Sequence, residues 1–158
     1  MTMRRRDFLV TAAASGLLAG CGGDEPPPPP GPTIVNVMVT GTPGMNPGPD
    51  GTDRPLTLFL LRLKETTAFE AADLYAAQAD PAAAAGAGLI GMDQLVIPPG
   101  GSGAKSLTFE PEATALGLLA FPRDPAGRVW RLVAPVTPHQ VTTAKVTLGP
   151  GGIVLEMS

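Results

Sequence analysis

Apolar and polar positions divide the chain into three stretches: a short apolar start, a proline-rich connection and a long series of β patterns. Arg4, Arg5 and Arg6 precede an apolar run from Phe8 to Ala19. The run is about twelve residues long, whereas a membrane-spanning helix needs roughly 20. A basic start followed by a short apolar run predicts a signal peptide over residues 1–20. Residues 22–32 read GGDEPPPPPGP. Consecutive prolines predict polyproline II, a stiff spacer rising about 3.1 Å per residue.

From residue 33 the pattern alternates. In TIVNVMVT, residues 33–40, Ile34, Asn36 and Met38 share one face and Val35, Val37 and Val39 the other, which predicts a first strand. Residues 41–54, GTPGMNPGPDGTDR, form a loop that is long for a hairpin, and long loops on rigid scaffolds often carry function. Residues 56–64, LTLFLLRLK, are apolar on both faces up to Arg62, which predicts a strand covered on both sides. Thr67 and Glu70 have capping-box spacing, and Phe69, Ala72 and Tyr75 recur at helical spacing. One helix is therefore predicted from Ala68 to Ala79, with Asp73 facing outward or capping a neighbouring loop. Residues 81–88, rich in Ala and Gly, admit a second short helix. Further strands are predicted at residues 94–97, 105–109, 115–121, 128–133, 140–148 and 153–157. Residues 115–121 and 128–133 pair as a hairpin, and Gly149 to Gly152 turn the last one. The fold class is all-β: a two-sheet β-sandwich of about eight strands with one helix added after strand two.

Composition supports this picture. The 20 Gly and 19 Pro punctuate many short strands better than they would a helical bundle. Residues 21–32 form the linker and residues 33–158 one domain, long enough for a single core. The formal net charge is -3, and the three arginines at the start leave with the signal peptide. No basic cluster remains to suggest nucleic acid. Cys21 is the one cysteine, so no disulfide is expected.

Candidate chemistry is sparse. His139 is the one histidine, which argues against a zinc site of the usual kind. Glu110 and Glu112 are expected in an exposed turn. The Asp50–Asp53 stretch lacks the spacing of a helix-flanked calcium loop. Ser102 and Ser106 lack a nucleophile-elbow context. The Gly-rich stretches fall between strands, so they are turns and not phosphate cradles. Trp130 is expected in the core, not as a ligand platform. No enzyme activity, cofactor, metal or small-molecule substrate is expected.

Two N-terminal motifs resemble export signals. Leu18-Ala19-Gly20-Cys21 resembles a bacterial lipobox at every position, which implies acylation of Cys21 and a lipid anchor. Arg5-Arg6-Asp7-Phe8-Leu9 resembles the twin-arginine signal, with Arg5, Arg6, Phe8 and Leu9 at the positions that matter. Gly22 stands after the cysteine, where an Asp favours inner-membrane retention in enteric bacteria. That points to the outer membrane, with the domain on its periplasmic face.

The chain as a whole resembles the outer-membrane lipoproteins of type VI secretion systems, the TssJ (VasD/SciN) family. The resemblance is carried in order by the lipobox, a strand leading into Met45-Asn46-Pro47, Asp50-Gly51 and Arg54-Pro55. Leu60 to Lys64, Phe69 with Ala72-Asp73, LIGMDQLVIPPG at residues 89–100, LGLLAF at residues 116–121, Arg123-Asp124 and Arg128 to Arg131 complete it. The resemblance implies a transthyretin-like sandwich with a structural role. It implies binding to the periplasmic C-terminal domain of the inner-membrane protein TssM. It also implies contact through the loop between strands one and two, at Met45, Asn46, Pro47, Asp50 and Gly51, with Met45 as the one sizeable apolar contact. The competing expectation is a periplasmic β-sandwich lipoprotein that binds a ligand or peptide. The low aromatic content, 4%, counts against sugar stacking.

Overall fold

The computed structural model describes Gly23 and residues 25–158. The predicted signal peptide with Arg5, Arg6, Phe8 and Leu9, and the expected lipidation site Cys21, lie outside the described residues. The strands are β1 Thr33–Gly41, β2 Leu56–Leu63, β3 Leu89–Ile97, β4 Ser102–Phe109, β5 Ala115–Ala120, β6 Arg131–Pro135, β7 Val141–Gly149 and β8 Gly152–Met157. They form two four-stranded sheets, β4-β1-β7-β8 and β3-β2-β5-β6, packed face to face as the strand count predicts. Among the described strands, β1 and β7 run parallel and the other pairings are antiparallel.

Alternation in β1 builds the first sheet. Val35, Val37 and Val39 point into the core, where they join Leu58, Leu60, Leu116 and Leu118 of the second sheet. Strand β2 serves two cores. Leu56, Leu58 and Leu60 face the other sheet, while Leu61 and Leu63 join Phe69, Ala77, Ala85 and Leu119 on the opposite face. The doubly apolar pattern of β2 is thus explained by cover on both sides.

That cover comes from three short helices, α1 Thr67–Ala71, α2 Leu74–Ala79 and α3 Pro81–Ala85. A single helix over Ala68 to Ala79 was the expectation; the chain instead breaks at Ala72 and Asp73. Asp73 is extended, and its carboxylate accepts from the N–H groups of Tyr75 and Ala76 at 3.0 and 3.1 Å. It competes for the N–H groups of its own segment and so starts a new helix. Asp80 does the same for α3, with Pro81 at the first helical position. The expected capping box is also shifted: the Thr66 hydroxyl donates to the Glu70 carboxylate at 2.8 Å, and no side chain caps the α1 backbone. Phe69, fully buried, docks α1 onto the sheet. It lies over Gly117, where an added Cβ would sit 3.0 Å from its ring, so a glycine in this central strand makes room for the helix. Arg131 closes the break by donating to the carbonyls of Phe69 and Ala72 at 3.0 and 2.7 Å. Its guanidinium lies 4.7 Å from the centre of the Trp130 ring.

Three strand starts differ from the expectation by three residues or more: β3 begins at Leu89, β4 at Ser102 and β6 at Arg131, after Trp130. Val129 makes only an isolated bridge to Gly152. Trp130 packs beside Phe121, ring centres 6.0 Å apart, against the core beneath the helices.

Edge strands β3 and β4 of opposite sheets meet along one side, and four charges line that seam. Arg62 donates to Asp93 at 2.6 Å and to Glu110 at 3.1 Å, and Lys105 reaches the other Asp93 oxygen at 2.8 Å. The hydrogen bond from Lys105, followed by that from Arg62, holds the Asp93 carboxyl below its usual range, although burial opposes this. Glu112 is exposed as expected, but Glu110 is half-buried in this network and not free in a turn.

Candidate functional site

The connections at residues 42–55, 98–101, 121–130 and 150–151 gather at one end of the sandwich. Gly41 bonds Gly101, Thr42 bonds Leu148, and β2 enters where β5 leaves. The linker, residues 110–114 and residues 136–140 gather at the other end, where Ile34 bonds Gln140 and Val136 bonds Thr114. Between the ends runs β1, about 26 Å long at roughly 3.3 Å per residue.

The β1–β2 loop, residues 42–55, is held in one shape by groups that its sequence places close together. Gly44 takes a φ of 84°, the left-handed region open to glycine, and turns the chain back. The Asp53 carboxylate accepts from the backbone N–H groups of Gly44 and Asn46 at 2.7 and 3.1 Å. Asn46 uses both ends of its side chain: Nδ2 donates to the Pro55 carbonyl at 3.0 Å, and Oδ1 accepts from the Arg123 N–H at 2.8 Å. Arg128 reaches in from the β5–β6 connection and donates to the carbonyls of Gly44 and Met45 at 2.9 and 3.1 Å. Three of these six contacts come from within the loop and its exit, and three come from Arg123 and Arg128, far away in sequence, so local and distant groups together fix the loop's shape before any partner arrives.

The five expected contact residues of this loop separate into two groups. Met45 is 1% exposed and packs in the core between the sheets. This corrects the expectation of Met45 as an apolar contact for a partner: it anchors the loop from beneath. Asn46, 8% exposed, is a buried clasp and not a contact surface. Pro47 is half-buried and bridges Asp53. Asp50 and Gly51 are exposed at the tip with Pro49, Thr52 and Arg54. The tip is itself ordered, since Asp50 accepts from the Thr52 N–H at 3.1 Å and from Arg54 at 2.9 Å. The Thr52 N–H first, then the Arg54 side chain, lower the Asp50 pKa from its usual value. Sequence reasoning did not single out Asp53 or Arg128, the two charges that hold the loop. An aspartate amid Gly and Pro was the available signal for Asp53; nothing in the local pattern marks Arg128.

Among the described residues, no group of three or more His, Cys, Asp or Glu is placed to hold a metal ion. No helix among them is long and apolar enough to cross a membrane. The loop end presents an exposed, hydrogen-bonded tip.

Comparison with known proteins places this architecture. The chain superposes on the type VI secretion lipoprotein TssJ1 of Pseudomonas aeruginosa with a TM-score of 0.74 and 30% identity, over 80% of this chain and 97% of that one. Serratia marcescens Lip, a membrane-bound component of the type VI secretion system, matches with a TM-score of 0.70 and 19% identity over 78% and 97% of the two chains. A chain from a structure described as the TssM C-terminal domain from EAEC matches with a TM-score of 0.64 and 19% identity over 78% and 98%. No curated protein matches the sequence. The family model described as type VI secretion lipoprotein, VasD, EvfM, TssJ, VC_A0113 matches residues 33–151. With its two-sheet sandwich and helices after strand two, the chain belongs to this family of type VI secretion lipoproteins.

Proposed function

We propose that this chain anchors the membrane complex of a type VI secretion machine to the outer membrane. In this reading acylated Cys21 holds the chain to the periplasmic face. The tip of the β1–β2 loop binds the periplasmic C-terminal domain of a TssM-like inner-membrane protein. The observation that carries the reading is the placement of a preorganised loop at the end of the sandwich opposite the linker. A chain tethered at residue 33 presents that loop away from its membrane, toward a partner arriving from the inner membrane. Preorganisation favours binding because little ordering entropy is lost on contact. The family membership supports a role in the secretion membrane complex.

Burial decides how to test it. Shortening the loop from Gly44 to Asp53 would remove Met45 and Asn46 from the core and the clasp, so lost binding would not be separable from lost folding. A triple variant, Pro49→Gly, Asp50→Ala and Arg54→Ala, changes exposed tip residues alone. In a titration against the periplasmic domain of the TssM-like protein, the unchanged chain should bind saturably. The variant should bind at least about tenfold more weakly, a loss of roughly 1.4 kcal/mol, with the same circular dichroism spectrum. No binding by the folded, unchanged chain would overturn the partner; equal binding by the variant would move the contact off this loop.

A further inference from the structure

We infer that a cleft beside the β1–β2 loop holds an extended, uncharged peptide segment of the same partner, with Tyr75 as its anchor. The inference rests on the partner reading above and deepens it by naming a second contact. The cleft, about 390 Å³, lies between the first turn of α2 and the β5–β6 connection, and Leu74, Tyr75, Pro125 and Trp130 line it with Asp124 and Arg128. That connection stands at the loop end of the sandwich, where the Arg123 N–H meets Asn46. Arg128 joins the two places: the side chain that holds the Gly44 and Met45 carbonyls also lines the cleft. A partner seated on the tip at Asp50 and Gly51 thus has the cleft at the same end of the molecule.

Tyr75 belongs to neither core. Phe59, Phe69, Phe109, Phe121 and Trp130 all lie in or against one, whereas Tyr75 is 74% exposed. Its place is nevertheless fixed, because the Asp73 carboxylate accepts from the Tyr75 N–H and starts α2 there. The helix break at Ala72 and Asp73 therefore stations an exposed ring at the edge of the cleft. Tyr, Trp and Arg are the side chains on which interfaces concentrate their binding energy.

The polar groups of the cleft identify what it takes. Every side-chain hydrogen bond of Arg128 runs through one Nη, so its other two nitrogens meet no acceptor among the described residues. Asp124 accepts from the Ala126 N–H at 3.2 Å through one oxygen, which leaves the second to spare. One cation and one anion balance each other, so the cleft favours neither a phosphate nor an ammonium group. An extended main chain supplies the matching pair, a carbonyl for Arg128 and an N–H for Asp124. Leu74, Tyr75 and Pro125 then take an apolar side chain. A sugar needs a bare ring face, and Trp130 already stacks with Phe121 at 6.0 Å and carries the Arg131 guanidinium.

The test follows Tyr75 and Trp130 in a titration of the full chain, in detergent micelles, against the same periplasmic domain as before. Tyr75→Ala should bind at least about tenfold more weakly than the unchanged chain, with the same circular dichroism spectrum. Tyr75→Phe, which keeps the ring, should restore most of the affinity. Trp130 is the one tryptophan, so an isotope-labelled chain gives a single indole N–H resonance. That resonance should shift as the unlabelled partner saturates the unchanged chain. Equal binding by Tyr75→Ala, or an indole resonance unmoved at saturation, would overturn the cleft and leave the tip contact standing. No binding by the folded, unchanged chain would overturn the partner and this occupant together, so the two failures are told apart.

Discussion

The two sheets share a core but differ on their outer faces. The outer face of β4-β1-β7-β8 carries Asn36, Met38, Thr40, Ser106, Thr143, Lys145 and Val154, and Met38 is 53% exposed. The outer face of β3-β2-β5-β6 carries Leu61, Leu63, Ala115 and Leu119, all buried beneath the three helices. The contrast shows where the helices act energetically. They are too short to stand alone in water and exist because an apolar sheet face needs cover, while the other sheet has polar side chains and needs none.

The largest expected effect breaks that cover. Phe69→Ala should cost about 3–5 kcal/mol in urea unfolding, through lost burial and the cavity left behind. It should also speed amide exchange in α1 to α3 far more than in β1. Gly117→Ala approaches the same contact from below. The new methyl meets the Phe69 ring and Leu63 at 3.0 Å, and a loss of about 1–3 kcal/mol is expected from overpacking. The same urea measurement checks it, and no loss would mean that the helices shift freely.

A smaller effect concerns the seam where the sheets meet. The folded-state pKa of Asp93 is lowered from 3.8, so its contribution is present above that value and lost as pH falls through the folded pKa. Asp93→Asn should therefore flatten the fall in stability on acidification below 3.8, in melting curves from neutral to strongly acid pH. An unaltered profile would place the acid sensitivity elsewhere. The smallest effect is expected on the bare face: Met38→Ser should change stability by no more than about 0.5 kcal/mol. A cost like that of Phe69→Ala would mean that the face is covered in solution.

The same contrast explains how far the sequence could be read. Alternation in residues 33–40 gave β1 because one face is wet, and the doubly apolar β2 signalled its two cores. The Gly149–Gly152 turn was legible from its glycines and proline. The helix break was harder because the residues around Ala72 fit helical spacing, and only the capping preference of Asp73 argues for a new start. Strand β6 is expected too early because Val129, Trp130 and Val133 are strand-favouring residues. Arg128 in fact leaves the pattern to hold the carbonyls of a loop more than 80 residues away, which no local period reveals. Met45 is the informative error. A single apolar residue in a loop of Gly, Pro and Asp reads as a contact for a partner, yet it is the loop's own attachment to the core. The exposed tip could be told from the anchored part of the loop only once burial had removed Met45 and Asn46 from the surface.

Strand β1 joins the linker at one end to the β1–β2 loop at the other, and it lies inside its sheet with β4 on one side and β7 on the other. Any pull between a membrane tether and a partner on the loop is therefore directed along this strand. Both hydrogen-bond ladders are loaded together, in shear, so they cannot open one bond at a time as a peeled edge strand would. Under the proposed tether and partner, the load would run through a strand braced on both sides.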